Sequence, residues 1–188
     1  MTLIESLLFF FIIFLKYRKK DVIKEMLINL AQYPEPDSIV DGIGLRTVIW
    51  FQGCKHNCPE CHNPLTHSFN TVLELDVETI IQFVLKQELQ AGVTISGGDP
   101  FYQPEALLEL LKQLKQHSIN IWVYTGFTYE YLLNTYLQHL QHIDILVDGL
   151  FLIAEKDLSL RFKGSRNQRV IDVQESLKNN NIVLSQYN

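Results

Sequence analysis

Short β-branched and aromatic runs recur along this chain, and each breaks off into glycine or polar residues before an amphipathic stretch begins. Arg46-Thr-Val-Ile-Trp-Phe51, Gly92-Val-Thr-Ile-Ser96, Asn120-Ile-Trp-Val-Tyr124 and Ile143-Asp-Ile-Leu-Val147 read as buried strands. Between them, Val77, Ile80, Ile81, Val84 and Leu85 keep helical spacing behind Asp76, a candidate N-cap for a helix to about Gln90. Leu107, Leu110, Leu111 and Leu114 do the same behind Pro104, and Tyr129 to about Leu140 predicts a third helix. Gln168–Asp172 predicts a fifth strand and Ile182–Leu184 a short sixth. Strand and helix in alternation imply a parallel sheet with right-handed crossovers. The chain has 188 residues, too few for a closed eight-unit barrel of ~250. The predicted fold is therefore α/β, an incomplete, open parallel β/α barrel of about five to six strands.

In such architectures chemistry gathers at the carboxyl ends of the strands. Four strand ends are polar or glycine-rich here: the segment from Gly53, Gly97-Gly98-Asp99, Thr125-Gly126 and Asp148-Gly149. All four are expected on one rim.

The first of these ends holds every cysteine in the chain, Cys54-Lys-His-Asn-Cys58-Pro-Glu-Cys61. A C-x3-C-x2-C loop offers three thiolates, whereas iron–sulfur clusters usually take four. A [4Fe-4S] cluster held by three keeps one iron open, and an open position separates a reactive metal site from a structural one. The alternative is a zinc knot completed by His56 or His62. Zinc patterns usually draw two ligand pairs from separate segments, and His67, His117, His139 and His142 are scattered. An odd number of cysteines in a chain of this size argues against a disulfide framework. Reduced cysteines fit the cytosol. A net charge of −5, with no basic block in the folded part, argues against a dedicated nucleic-acid binder.

The N-terminus follows another pattern. Residues 6–15 are almost wholly apolar, and Lys16, Arg18, Lys19 and Lys20 follow. A spanning helix needs roughly 20 apolar residues, and a signal peptide carries its positive charge before the apolar run. A membrane anchor with a basic flank is one reading. The preferred expectation is that residues 1–25 are an extension upstream of Met26, and that residues 26–188 form a single domain.

The open iron of such a cluster could chelate a ligand through an amine and a carboxylate, as S-adenosylmethionine (SAM) presents them. Gly97, Gly98 and Asp99 suit such a ligand. Glycines let backbone groups approach it closely, and the Asp99 carboxylate could meet an ammonium group. On this expectation, Gly98→Val impairs SAM binding more than cluster assembly. Alone, Gly-Gly-Asp-Pro is equally a tight turn capping a helix. His62 reads either as an adenine neighbour through its backbone or as a solvated loop histidine. Asp148 reads as a SAM contact or as an Asx-turn with Gly149, and Arg169 as a partner surface or an ion pair. Trp50 and Trp122 are most simply core.

Asp41-Gly-Ile-Gly-Leu-Arg46, Gly53 to Asn63 with the three cysteines, Ser96-Gly-Gly-Asp-Pro100 and Gly164-Ser-Arg-Asn-Gln168 occur in one order, joined by Val123–Phe127 and Leu146–Leu150. From about Ser38 to about Asp172 the chain resembles the anaerobic ribonucleoside-triphosphate reductase activating proteins, small radical-SAM enzymes. The resemblance implies a [4Fe-4S] cluster on Cys54, Cys58 and Cys61, and SAM contacts from Glu60, Cys61, His62 and Gly98. It implies that reductive cleavage of SAM yields a 5′-deoxyadenosyl radical, which takes a hydrogen from a glycine in the large subunit of the reductase. A small electron donor such as flavodoxin is implied with it, while a cytoplasmic location is expected from the reduced cysteines. Two positions depart from the family pattern: Glu60 stands where glycine is usual, and Ile43 where proline is. The alternatives are an activase of another glycyl-radical enzyme such as a formate lyase, a radical-SAM enzyme acting on a small molecule, and a non-enzymatic zinc-binding module.

Overall fold

The computed structural model describes residues 26–188; the N-terminal extension expected over residues 1–25 lies outside the described residues. A nine-stranded sheet organises them. Its strands are β1 (Leu27–Leu30), β2 (Glu35–Ser38), β3 (Arg46–Phe51), β4 (Leu73–Asp76), β5 (Gly92–Gly97), β6 (Ile121–Tyr124), β7 (Ile145–Asp148), β8 (Arg169–Asp172) and β9 (Val183–Leu184). The helices are α1 (Val77–Leu85), α2 (Pro104–Gln116), α3 (Tyr129–Thr135), α4 (Leu137–Leu140) and α5 (Val173–Asn179).

The spatial order is β4-β1-β3-β5-β6-β7-β8-β9, with β2 also paired to β3. Only β3, β5, β6 and β7 are mutually parallel. In this block the chain order equals the spatial order, so each crossover moves one strand further in the same direction. The other pairings are antiparallel. The expected count of five to six strands is thus too low, and the sheet is mixed rather than parallel. The extra strands are short antiparallel pieces such as Glu35-Pro-Asp-Ser38, with no apolar alternation to betray them. Strand β8 returns antiparallel because only a short 3-10 turn at Ile153–Glu155, and no α-helix, lies between it and β7, and a parallel return needs a crossover.

Local chemistry sets the helix ends. Asp76 caps α1 by accepting from the Thr79 N–H at 2.9 Å. That helix stops at Leu85 rather than near Gln90, because residues 86–91 turn back to begin β5. The expected third helix is two short ones, broken at Tyr136. The ring of Tyr136 lies 5.4 Å from Phe101 and 5.2 Å from His139, which holds the break in place.

The main core lies between the helices and one face of the sheet, where Ile49, Phe51, Val93, Ile95, Ile121, Val123 and Leu146 meet Ile80, Leu107, Leu110, Leu132 and Val173. Among the described residues the opposite face carries no helix. Trp122, Ile145, Val147 and Val170 line it, covered by Ile43, Tyr124, Phe162 and Tyr187. The expectation that Trp122 is core holds. Among the described residues no helix is long and apolar enough to cross a membrane.

Candidate functional site

Because β3, β5, β6 and β7 run parallel as neighbours, their carboxyl ends share one rim. The four polar strand ends read from the sequence are all there: Gln52-Gly53-Cys54 after β3, Gly97 to Asp99 at β5, Thr125-Gly126 after β6, and Asp148-Gly149 at β7.

The cysteine loop is pinned at its base and open at its tip. The Gly53 N–H donates to the Thr66 carbonyl at 2.8 Å and the Cys54 N–H to that of His67 at 3.2 Å. Buried Gln52 holds the returning chain after the loop, its amide donating to the carbonyls of Leu65 at 3.2 Å and Ser68 at 2.8 Å. Inside these ties, Cys54, Cys58 and Cys61 are unpaired and half-buried. Burial pushes the thiols of Cys54 and Cys58 above their ordinary value. Backbone N–H groups oppose it: those of His56 and Asn57 at Cys54, and that of Phe151 at Cys58. A metal that binds them must therefore displace protons, and the amides that face the sulfurs would then stabilise thiolate charge.

Asn57 and Glu60 both have left-handed backbones, with φ of 50° and 53°. This explains the departure at Glu60. The position is one that glycine occupies at no steric cost, and a longer side chain there is strained. The Glu60 side chain is exposed, so its charge stands in water rather than against the thiols. Ile43, the other departure, packs on the helix-free face beside Trp122.

Gly98 sits where the β5 turn meets the base of the cysteine loop. Its N–H donates to the Phe51 carbonyl at 2.7 Å, and the Asp99 N–H to that of Gly53 at 2.9 Å. A Cβ on Gly98 would lie 2.4 Å from the Gly53 oxygen and 2.9 Å from that of Thr66. The close approach that requires glycine is thus to the cysteine loop itself. A valine side chain at this position would strike the loop that carries the ligands, so Gly98→Val bears on cluster assembly as well as on SAM binding.

Asp99 is 1% exposed, and the protein occupies its carboxylate. Oδ2 accepts from His56 Nε2 at 2.7 Å, Thr125 Oγ1 at 2.8 Å and the Gly126 N–H at 2.9 Å, while Oδ1 accepts from the Phe101 N–H at 3.0 Å. The side chain faces inward and joins three rim loops. Asp148, also 1% exposed, accepts from the Tyr129 N–H at 2.7 Å and is ion-paired with Arg169. Arg169 also grips Glu130 through two bonds of 3.0 and 2.9 Å. Arg169 is therefore the ion-pair member expected as one of its two readings. Its hydrogen bonds hold the Glu130 carboxyl down to about 2. His62 is exposed, its ring 5.0 Å from Phe151.

The Gly164–Gln168 motif closes the excursion between β7 and β8. Gln168 Oε1 accepts from the N–H groups of Gly164 and Ser165 at 2.9 and 3.2 Å, its amide donates to the Gly149 carbonyl at 3.0 Å, and Asn167 donates to the Leu150 carbonyl at 2.8 Å. This clasp keeps Phe151 beside the cysteine loop, its ring 5.0 Å from that of His62. Sequence reading missed the roles of His56, Gln52 and Gln168. His56 was visible only as a spare zinc ligand, and nothing local ties it to an aspartate 43 positions away.

Three thiols and no fourth suit a cubane cluster, which takes one thiolate at each of three irons and leaves the last for another ligand.

Comparison with known proteins supports the same site. Residues 40–171 match the family described as 4Fe-4S single cluster domain. The anaerobic ribonucleoside-triphosphate reductase-activating protein of Haemophilus influenzae is 35% identical over 148 residues, covering 74% of this chain and 95% of that protein. The protein of the same name from Escherichia coli K12 is 33% identical over 151 residues, covering 76% and 97%. A pyruvate formate-lyase-activating enzyme from Clostridium pasteurianum is 36% identical over 119 residues, 60% of this chain and 48% of that enzyme.

Proposed function

The chain belongs to the family of anaerobic ribonucleoside-triphosphate reductase-activating proteins, and from that premise we propose that its rim is a radical-SAM centre acting on the large subunit of the reductase. It is an activating enzyme of the glycyl-radical kind, with a [4Fe-4S] cluster and SAM as cofactors. When bound and reduced, these cofactors supply an electron that cleaves the SAM sulfonium and a 5′-deoxyadenosyl radical that takes hydrogen from a glycine.

The chain's own residues do the rest. Cys54, Cys58 and Cys61 hold the cluster. The backbones of Glu60, Cys61 and His62 flank SAM on the loop side, and those of Gly97 and Gly98 on the β5 side. Asp99 fixes the turn that carries those glycines, and Asp148 with Arg169 fixes the neighbouring strand end. The fold is an incomplete barrel of the radical-SAM type, an assignment supported by helices confined to one face of four successive parallel strands. Residues 26–188 form its single domain and residues 1–25 an extension outside it. The location is the cytoplasm and the electron donor a small flavodoxin-like protein.

One observation carries this reading. The only three cysteines stand unpaired on the loop after β3, tied through Gly98 and Asp99 to the adjacent strand end. The test is anaerobic incubation of the reduced, reconstituted chain with SAM and the large subunit of an anaerobic ribonucleoside-triphosphate reductase. A glycyl-radical signal in electron paramagnetic resonance is expected. A signal on pyruvate formate lyase and none on the reductase would reassign the target while keeping the chemistry.

A further inference from the structure

His56 lies between the first two cysteines in sequence, and its imidazole is taken by Asp99. Nε2 sits 2.7 Å from Asp99 Oδ2. Against a carboxylate acceptor the ring is placed to donate its Nε2–H. The ring is held on every side. Phe127 lies 4.6 Å away edge-on, Tyr102 lies 5.4 Å away, and the histidine side chain is only 13% exposed. Gly126 admits it: a Cβ there would lie 2.5 Å from His56 Cδ2 and 2.7 Å from Nε2. The same Asp99 oxygen takes Thr125 Oγ1 and the Gly126 N–H. A single buried carboxylate thus fixes the cysteine loop, the Gly97-Gly98 turn and the β6 turn against one another.

We propose that His56 is a positioning residue: through Asp99 it sets the cysteine loop in register with the strand-end turns that flank SAM, without itself ligating the cluster. This rests on the radical-SAM reading above and deepens it. The physical basis is the strength of a charge-assisted hydrogen bond in a water-poor site. Reactivity across two separately mounted elements also depends steeply on their relative placement.

The test uses the full chain reconstituted anaerobically, as parent, His56→Ala and His56→Gln. The glutamine amide can replace the Nε2 donor. Iron and sulfide content, the SAM concentration that half-saturates the change in the reduced cluster's paramagnetic spectrum, and SAM cleavage are measured for each. His56→Ala is expected to keep parental iron and sulfide, to need on the order of tenfold more SAM, and to cleave it on the order of a hundredfold more slowly. His56→Gln is expected to recover most of both. The proposal is overturned if His56→Ala responds to SAM like the parent, if the two variants are equally impaired, or if both lose iron at unchanged thermal stability. A parent chain that assembles no cluster sinks the underlying reading instead, so the two failures are distinct.

Discussion

Two buried charges stand at opposite ends of the same parallel strands, and they are wired differently. Arg46 opens β3 at the amino end and is 1% exposed. It donates to the carbonyls of Ile43, Val93 and Asn120, to the Asn120 side chain and to Thr94 Oγ1. Its guanidinium lies 5.3 Å from the Trp122 ring. Burial lowers it to about 10, so it stays charged at neutral pH. Asp99, beyond the carboxyl end of β5, is equally buried, but its donors come from loops and turns. The arginine joins the starts of β3, β5 and β6 to each other. The aspartate joins what those strands present. Burying either charge costs several kcal/mol before hydrogen bonds offset it, so each marks a place where geometry is held tightly. At the amino end that geometry is the framework; at the carboxyl end it is the relation between ligand-bearing loops.

The division predicts separable losses. Replacing any one of Cys54, Cys58 or Cys61 by Ala should abolish SAM cleavage while leaving the melting transition nearly in place, because the thiols contribute little to either core. Unchanged cleavage in Cys58→Ala would break the assignment. Arg46→Met should do the reverse. It strands buried acceptors and is expected to destabilise by about 3 kcal/mol or more in denaturant titration, with iron per folded chain unchanged. If it spared stability but weakened SAM binding, the two ends would not be divided as described. Arg169→Met removes the partner of buried Asp148 and should cost about 2 kcal/mol, below the fully buried figure because Arg169 is partly exposed.

Smaller effects sharpen the picture. Glu60→Gly relieves a left-handed backbone and should stabilise by roughly 0.5–1 kcal/mol, the strain relieved less the extra freedom of the unfolded chain. A loss of stability on that change would mean that the side chain makes a contact worth more than the strain. Away from the rim, burial holds His139 and His142 below the ordinary 6.5. The unfolded chain then binds protons first as pH falls through about 6.5, so stability should decline below that pH. The slope should flatten in His139→Gln, whose amide can keep the 2.8 Å bond that Nε2 makes to the Pro104 carbonyl.

What the sequence showed and what it hid follow from range. The spacing of Val77, Ile80, Ile81 and Val84 and the cap at Asp76 are local facts, and α1 begins where they place it. The cysteine loop and the other three strand ends were legible because strand, turn and glycine signals sit side by side. Strand β2, Glu35-Pro-Asp-Ser38, has no apolar face to announce it and exists through its pairing with β3. The inward turn of Asp99 was hidden for the same reason: its partners His56, Thr125 and Gly126 lie 43, 26 and 27 positions away. Glu60 was visible as a departure from the family pattern, but its physical meaning is a backbone angle, which residue identity alone does not give.

The most direct test of a reactive cluster site is to reconstitute the full chain anaerobically with iron and sulfide, reduce it, add SAM and measure the products. 5′-Deoxyadenosine and methionine are expected in equal amounts. A well-folded chain that binds zinc, takes up no cluster and releases neither product would contradict that expectation and make the cysteine loop a structural element.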